Sequence, residues 1–256
     1  MLLAFDLDGT IVTRDHRLPE EIREAIFAAR DRGHAVTVIT GRNYASARQY
    51  LEALEVDCHY GTCQGARVHA YGEDHHLELS LTPEELTGLL EHFERHPELD
   101  FFLSTRNGLF VREPGDTRWD WARKEGQQVH ALVEYGGEIA HKIVCSTPRV
   151  SYLHSELSER FPHLAYYPWD DRYLEVVAAG GFKGSALERI AAIHGVAQGE
   201  TVAFGDGEND VSMLRWAGRA VGVGYMAPGV AALVREHAAA PEELGVARWL
   251  EENLLS

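Results

Sequence analysis

The feature that most constrains this chain is a series of short apolar runs, several of which end in a polar cluster or a glycine turn. The first, LLAFDL at residues 2–7, has the length and composition of a buried strand. A helical pattern follows over 19–32, where Ile22, Ala25, Ile26 and Ala29 share one face and Gly33 closes it. HAVTVIT at 34–40 is a second buried run and ends in Thr40-Gly41-Arg42; another helical pattern covers about 44–54. This strand–helix–strand–helix order predicts a parallel sheet with crossover helices.

The same order returns at the other end of the chain. A helix over about 184–194 precedes the strand TVAFGD (201–206). A helix start at NDVSML follows, then the strand RAVGVG (219–224) and helices over 228–238 and about 242–254. The middle differs. TPEELTGLLEHFERH (82–96) is helical, with a capping-box start at Thr82 and Glu85. LDFFLST and GLFVRE meet at Arg106-Asn107-Gly108 as a hairpin. AHKIVCS, a helix over about 149–161, LAYYPW and YLEVVAA complete an α+β pattern. The fold class expected is therefore α/β: a doubly wound, mostly parallel Rossmann-like core sheet at 1–80 and 180–256, with an α+β domain inserted at 81–179. No internal repeat or low-complexity segment interrupts it.

Composition excludes several partners. No run of about 18 apolar residues exists, so no membrane association is expected. The start MLLAFDLDGT has no basic leader, and the expected compartment is cytoplasmic. Three cysteines (Cys58, Cys63, Cys145) with no Cys-x-x-Cys pair make no disulfide framework; Cys58 and Cys63 read as small buried residues on neighbouring strands rather than as metal ligands. Lys and Arg total 24 against 40 Asp and Glu, a formal charge of −16, which argues against nucleic acid. An anionic ligand would need a local source of positive charge: a metal ion, a lysine or helix N-termini.

Four polar clusters meet that need. In Asp6-Leu7-Asp8-Gly9-Thr10 the two acids are two residues apart, so they share a strand face at its carboxyl edge, where open α/β sheets hold ligands. Their repulsion calls for a cation, and hard oxygen donors favour magnesium; a solvated acidic loop is the plain alternative. Thr40 ends a strand before Gly41 and a helix, a setting for phosphate oxygens or for a simple N-cap. Lys183 follows Gly180-Gly181-Phe182 at a helix start, ready to neutralise a carboxylate and a phosphate, or merely solvated. Gly205-Asp206-Gly207-Glu208-Asn209-Asp210 brings more acids to a second strand end, as metal ligands or as helix capping. Each cluster alone is ambiguous; the four in this order are not.

With these motifs in this order, the sequence resembles, over essentially its whole length, the haloacid dehalogenase-like phosphatases, in particular the Cof-type group with a large α/β cap inserted after the second motif. The resemblance implies Asp6 as nucleophile and Asp8 as general acid and base, with Thr40 and Lys183 binding the transferring phosphoryl group. It implies a magnesium site from Asp6, Asp206 and the Asp8 backbone carbonyl, with Asp210 supporting metal-bound water. Gly41, Arg42 and Asn209 would then lie on the substrate side. The family's Asn-Gly-Ala is replaced here by Gln64-Gly65-Ala66, and its Gly-Asn-Ala by Gly224-Tyr225-Met226-Ala227. The function implied is a Mg2+-dependent phosphatase acting on a small phosphorylated metabolite such as a sugar phosphate, in a monomer or weak homodimer. The competing readings are a phosphomutase or phosphotransferase on the same scaffold, and a non-catalytic phosphometabolite-binding module, which would not need both acids of the first motif.

The remaining polar and aromatic residues take plainer roles. The 14 histidines are scattered, with His75-His76 in an acidic turn, and read as structural or surface residues. Trp119, Trp121, Tyr166, Tyr167 and Trp169 read first as packing residues, with a substrate pocket as the sharper alternative. Arg172 and Glu175, on the last strand of the insertion, are candidates for facing the ligand.

Overall fold

A computed structural model describes residues 1–71, 74–169 and 171–255, with the side chains of 71 and 74–76 left outside the description. In chain order the strands are β1 (Leu2–Phe5), β2 (Ala35–Val38), β3 (Tyr60–Thr62), β4 (Arg67–Tyr71), β5 (Asp74–Glu78), β6 (Asp100–Thr105), β7 (Gly108–Val111), β8 (Val129–Ala131), β9 (Ala140–Ser146), β10 (Ala165–Pro168), β11 (Tyr173–Val177), β12 (Thr201–Gly205), β13 (Arg219–Val223) and β14 (Glu236–Ala238). The helices are α1 (Glu20–Asp31), α2 (Tyr44–Ala53), α3 (Pro83–Glu94), α4 (Asp120–Lys124), α5 (Val150–Arg160), α6 (Lys183–Ile193), α7 (Val211–Trp216), α8 (Pro228–Leu233) and α9 (Gly245–Leu250). Two units result: Met1–Leu77 with Phe182–Ser256, and Glu78–Gly181.

The first unit is built on a five-stranded sheet of order β14-β13-β12-β1-β2, parallel throughout. Both faces are covered, which is why its strands read as continuous apolar runs. Leu3 and Phe5 join one core with α1, α2 and α9, while Leu2 and Ala4 join the opposite core with α6, α7 and α8. The period of two along β1 thus serves two cores at once. The helix α1 buries the four residues expected of it, Ile22, Ala25, Ile26 and Ala29. Strand β1 lies between β2 and β12: the chain leaves it to one side through α1 and reaches β12 on the other through α6. That reversal opens the crevice at the carboxyl ends where such sheets hold ligands.

The second unit is a six-stranded sheet of order β10-β11-β9-β6-β7-β8, antiparallel except for β7 with β8. Helices α3 and α5 cover one face through Leu86, Leu89, Phe93, Val150, Leu153 and Leu157. Trp119 and Ala122 pack on the other, against Phe102, Leu109 and Val144. The capping box forms as read: Thr82 accepts from the Glu85 amide, and Glu85 accepts from the Thr82 amide. β6 and β7 make the expected hairpin.

Several elements differ from the sequence reading. The helix expected over 228–238 stops at Leu233, and Glu236–Ala238 is strand β14, paired with β13. A Glu-His-Ala-Ala stretch has helical composition, but an open parallel edge offers it main-chain partners, and pairing overrides propensity. The helix expected over 242–254 is broken at Leu244, which takes φ 59°; α9 begins only at Gly245. β3, β4, β8 and α4 carry too little periodicity to have been read. Cys58 and Cys63 flank β3 rather than lying on neighbouring strands; both are buried, as is Cys145. His75-His76 belongs to β5 rather than a turn, with side chains outside the described residues.

Candidate active site

Two phenylalanines set the register of the site. Phe5 and Phe204 are cross-strand partners on β1 and β12, with rings stacked 4.8 Å apart, and Trp249 packs edge-on against Phe204. Such ring pairs add about 0.5–1.5 kcal/mol beyond their area. The Asp6 amide continues the ladder to the Phe204 carbonyl at 3.1 Å. Asp6 and Asp206 therefore leave adjacent strands side by side. After Asp6 the chain turns tightly, with the Thr10, Ile11 and Val12 amides all donating to the Leu7 carbonyl. Gly9 takes φ +79°, and any Cβ there would overlap the Asp206 carboxylate. Thr10 Oγ1 donates to Asp206 Oδ1 at 2.8 Å, a contact that sequence reasoning missed.

Lys183 opens α6 and is fully buried. Its Nζ donates to Asp6 Oδ1 and to Asp210 Oδ1, each at 2.6 Å. Asp210 Oδ2 accepts the amides of Asp206 and Gly207 at 3.0 and 2.9 Å. Both oxygens of Asp210 are thus engaged: it holds the lysine and shapes the loop after β12. The lysine can sit this deep because α6 approaches α7 closely. A Cβ on Gly184 would meet the Ser212 carbonyl oxygen at 2.5 Å, and Ser212 Oγ accepts from the Gly184 amide.

One lysine does not balance these acids. Oxygens of Asp6, Asp206 and Asp210 lie within 4.8 Å of one another. Burial, then the Asp210 charge, raises the Asp6 carboxyl well above its usual range, against the opposing pull of Lys183. Burial and Asp210 likewise raise Asp206 to about 7. Lys183 is held firmly protonated: burial opposes its charge, but the Asp210 and Asp6 carboxylates overcome that cost. The donor set is all oxygen, anionic and in excess of its cation, and it suits a hard divalent ion.

Asp8 lies outside this acid group. Its oxygens receive Arg42 Nε at 2.8 Å and Nη2 at 2.6 Å, a two-pronged pair, with His16 Nδ1 3.1 Å from the same Nη2. Burial would raise the Asp8 carboxyl, yet the hydrogen bonds and charge of Arg42 hold it below its ordinary value. Thr40 is buried, and its hydroxyl accepts from the Arg42 amide at 3.1 Å. The N-cap of α2 is Asn43, which accepts from the Ser46 amide, so Thr40 is not the cap. Asn209 Nδ2 donates to Gln64 Oε1 at 3.0 Å. Gln64 is buried with φ 61°, and Gly41 packs against its amide.

Within the inserted unit, Glu175 is fully buried and takes Lys142 at 3.0 Å and Trp169 Nε1 at 2.8 Å. Arg172 is exposed. Trp119 is core; Tyr166 donates to the Leu157 and Phe161 carbonyls and Tyr167 to the Gly181 carbonyl; Trp121 and Trp169 are exposed. Among the described residues, no helix is long and apolar enough to cross a membrane.

A doubly wound sheet with acids from two adjacent strand ends around a buried lysine defines a class, and comparison gives it a name. The sequence profile of the haloacid dehalogenase-like hydrolases matches residues 3–250, and the chain belongs to that family. It is 28% identical over 266 residues to the 5-amino-6-(5-phospho-D-ribitylamino)uracil phosphatase YitU of Bacillus subtilis, covering 98% of this chain and 96% of that one. Solved structures with the same fold include the HAD subclass IIB sugar phosphatase BT4131 (TM-score 0.85, 24% identity, 98% of each chain). A haloacid dehalogenase-like hydrolase from B. subtilis is similar too (TM-score 0.86, 21% identity, 99% of each chain).

Proposed function

We propose that the protein is a Mg2+-dependent phosphatase that hydrolyses a small phosphomonoester, such as a sugar phosphate, through an aspartyl-phosphate on Asp6. The observation that carries this reading is the contact of a buried Lys183 with Asp6, beside Asp206 on the neighbouring strand end. YitU and BT4131 are both phosphatases, which supports the reaction class.

Asp6 and Asp206, with the Asp8 backbone carbonyl, would hold the ion, and Asp210 would act beside it through Lys183. When bound, magnesium supplies positive charge to the phosphate oxygens and to the acids around it. Asp6 attacks phosphorus in line, and the bond from phosphorus to the leaving oxygen breaks as the new P–O bond forms. Lys183 and the Thr40 hydroxyl stabilise the equatorial oxygens. Asp8 gives a proton to the leaving oxygen and then removes one from the water that cleaves the acyl phosphate. Arg42, paired with Asp8 in the free protein, is positioned to exchange that partner for a substrate phosphate. Gly41 and Asn209 complete the substrate side.

The test is release of inorganic phosphate from a panel of sugar phosphates, nucleotides and phosphorylated cofactors, with magnesium and with a chelator. Chelator-sensitive release and acid-stable labelling lost in Asp6→Asn are expected. Release that survives chelation, or transfer of phosphate to a sugar hydroxyl instead of water, would overturn the proposal.

A further inference from the structure

The inserted unit carries a second group of metal-type donors, unrelated to the acids of β1 and β12. His92 lies in the last turn of α3, and His96 follows just past the helix end, with the two ring centroids 4.8 Å apart. Glu156 reaches them from α5. One ligand atom from each of the three lies within 4.8 Å of the others, and His92 Nε2 is 3.9 Å from Glu156 Oε2. In a tetrahedral zinc site with bonds of about 2.0 Å, donor atoms stand about 3.3 Å apart. Binding an ion would therefore require the three side chains to draw together around it.

His92 supplies the second observation. It is only 9% exposed, and its Nε2 is buried with no hydrogen-bond partner. An orphaned buried nitrogen costs free energy unless something takes its lone pair or its proton. The other two donors are braced from outside. Tyr152 Oη donates to Glu156 Oε1 at 3.0 Å and leaves Oε2 toward His92, while Glu98 Oε1 stands 3.1 Å from His96 Nδ1. Carboxylate and hydroxyl partners of this kind orient metal ligands.

We propose that His92, His96 and Glu156 form a binding site for a divalent transition metal ion of the zinc class, joining the end of α3 to α5. Two imidazoles and one carboxylate select zinc, cobalt or nickel over magnesium, which prefers an all-oxygen shell. The site leaves a fourth position for water.

The test is zinc titration of the full chain at neutral pH against a chromophoric chelator, with magnesium in large excess to saturate the carboxylate site. The wild type should bind one equivalent tightly, and cobalt(II) should give the visible absorption of a tetrahedral complex. His96→Ala and Glu156→Gln, both at partly exposed positions, should each weaken zinc by at least about tenfold while the circular dichroism is unchanged. Asp206→Asn should leave this affinity unaltered. Equal zinc affinity in His96→Ala, Glu156→Gln and wild type, or loss of the tight equivalent in Asp206→Asn, would overturn the assignment.

Discussion

Gly9 and Asp206 lie so close that the hydrogen on the Gly9 Cα faces the Asp206 carboxylate, leaving no space for a methyl group. Gly9 also takes a left-handed φ of +79°. The loop after β1 therefore sets the position of an acid nearly 200 residues away in sequence, with Thr10 adding a hydrogen bond to the same carboxylate. Gly9→Ala should cost about 1–2 kcal/mol from backbone strain alone and should displace Asp206. Magnesium affinity, measured by calorimetry, is expected to fall at least about tenfold. Thr10→Val should be milder, about 1 kcal/mol.

Asp6→Asn should abolish turnover while the fold is retained. In the metal-free protein it should leave the melting temperature unchanged or raise it, because a carboxyl raised by burial and by Asp210 is a source of repulsion that the amide removes. Thermal melts of the two proteins in chelator, beside a phosphate-release assay, check both halves. Steady-state turnover near wild type in a fully substituted sample would falsify the nucleophile assignment.

Lys183→Met should be costly even though methionine fits a buried site. It removes the shared cation of Asp6 and Asp210 and leaves buried acids uncompensated, a loss of about 3–5 kcal/mol. Denaturant unfolding in chelator measures it. Saturating magnesium should recover part of the loss without restoring activity.

Magnesium should stabilise the protein more at high pH than at low pH. The Asp206 carboxyl is raised in the folded chain to about 7, from an ordinary value of 3.8, by burial and by the Asp210 charge. A raised acid contributes stability that is full below the lower value and is lost as pH climbs through the higher one. Metal-free protein should therefore lose stability between roughly pH 4 and 7 from this group, with Asp6 acting in the same direction. Binding the ion requires the ionised acids and cancels that loss. Melting temperatures with and without magnesium should diverge as pH rises across this window; a constant gap would contradict it.

Local pattern carried much of the fold. Ile22, Ala25, Ile26 and Ala29 announced α1 by spacing, and Thr82 with Glu85 announced the start of α3, because helical period and capping are settled within a few residues. β14 was not legible: Glu-His-Ala becomes a strand only because β13 offers it an unpaired edge. The same division runs through the site. Asp6, Asp8, Thr40, Lys183, Asp206 and Asp210 could each be singled out where an apolar run or a glycine turn gives way to polar residues. The contacts of Thr10 and Gln64 could not be read, because their partners, Asp206 and Asn209, lie far along the chain.

By itself, then, the sequence determined which residues stand at strand ends and which faces of its helices are apolar, since both follow from short-range periodicity. Tertiary structure alone decided that Lys183 reaches Asp6 across 177 positions, that Arg42 clasps Asp8, and that His92 is buried opposite Glu156 with a nitrogen unpaired. Those outcomes depend on strand order and helix packing, and charges meet only where the packed chain brings them within a few ångströms and strips away the water between them.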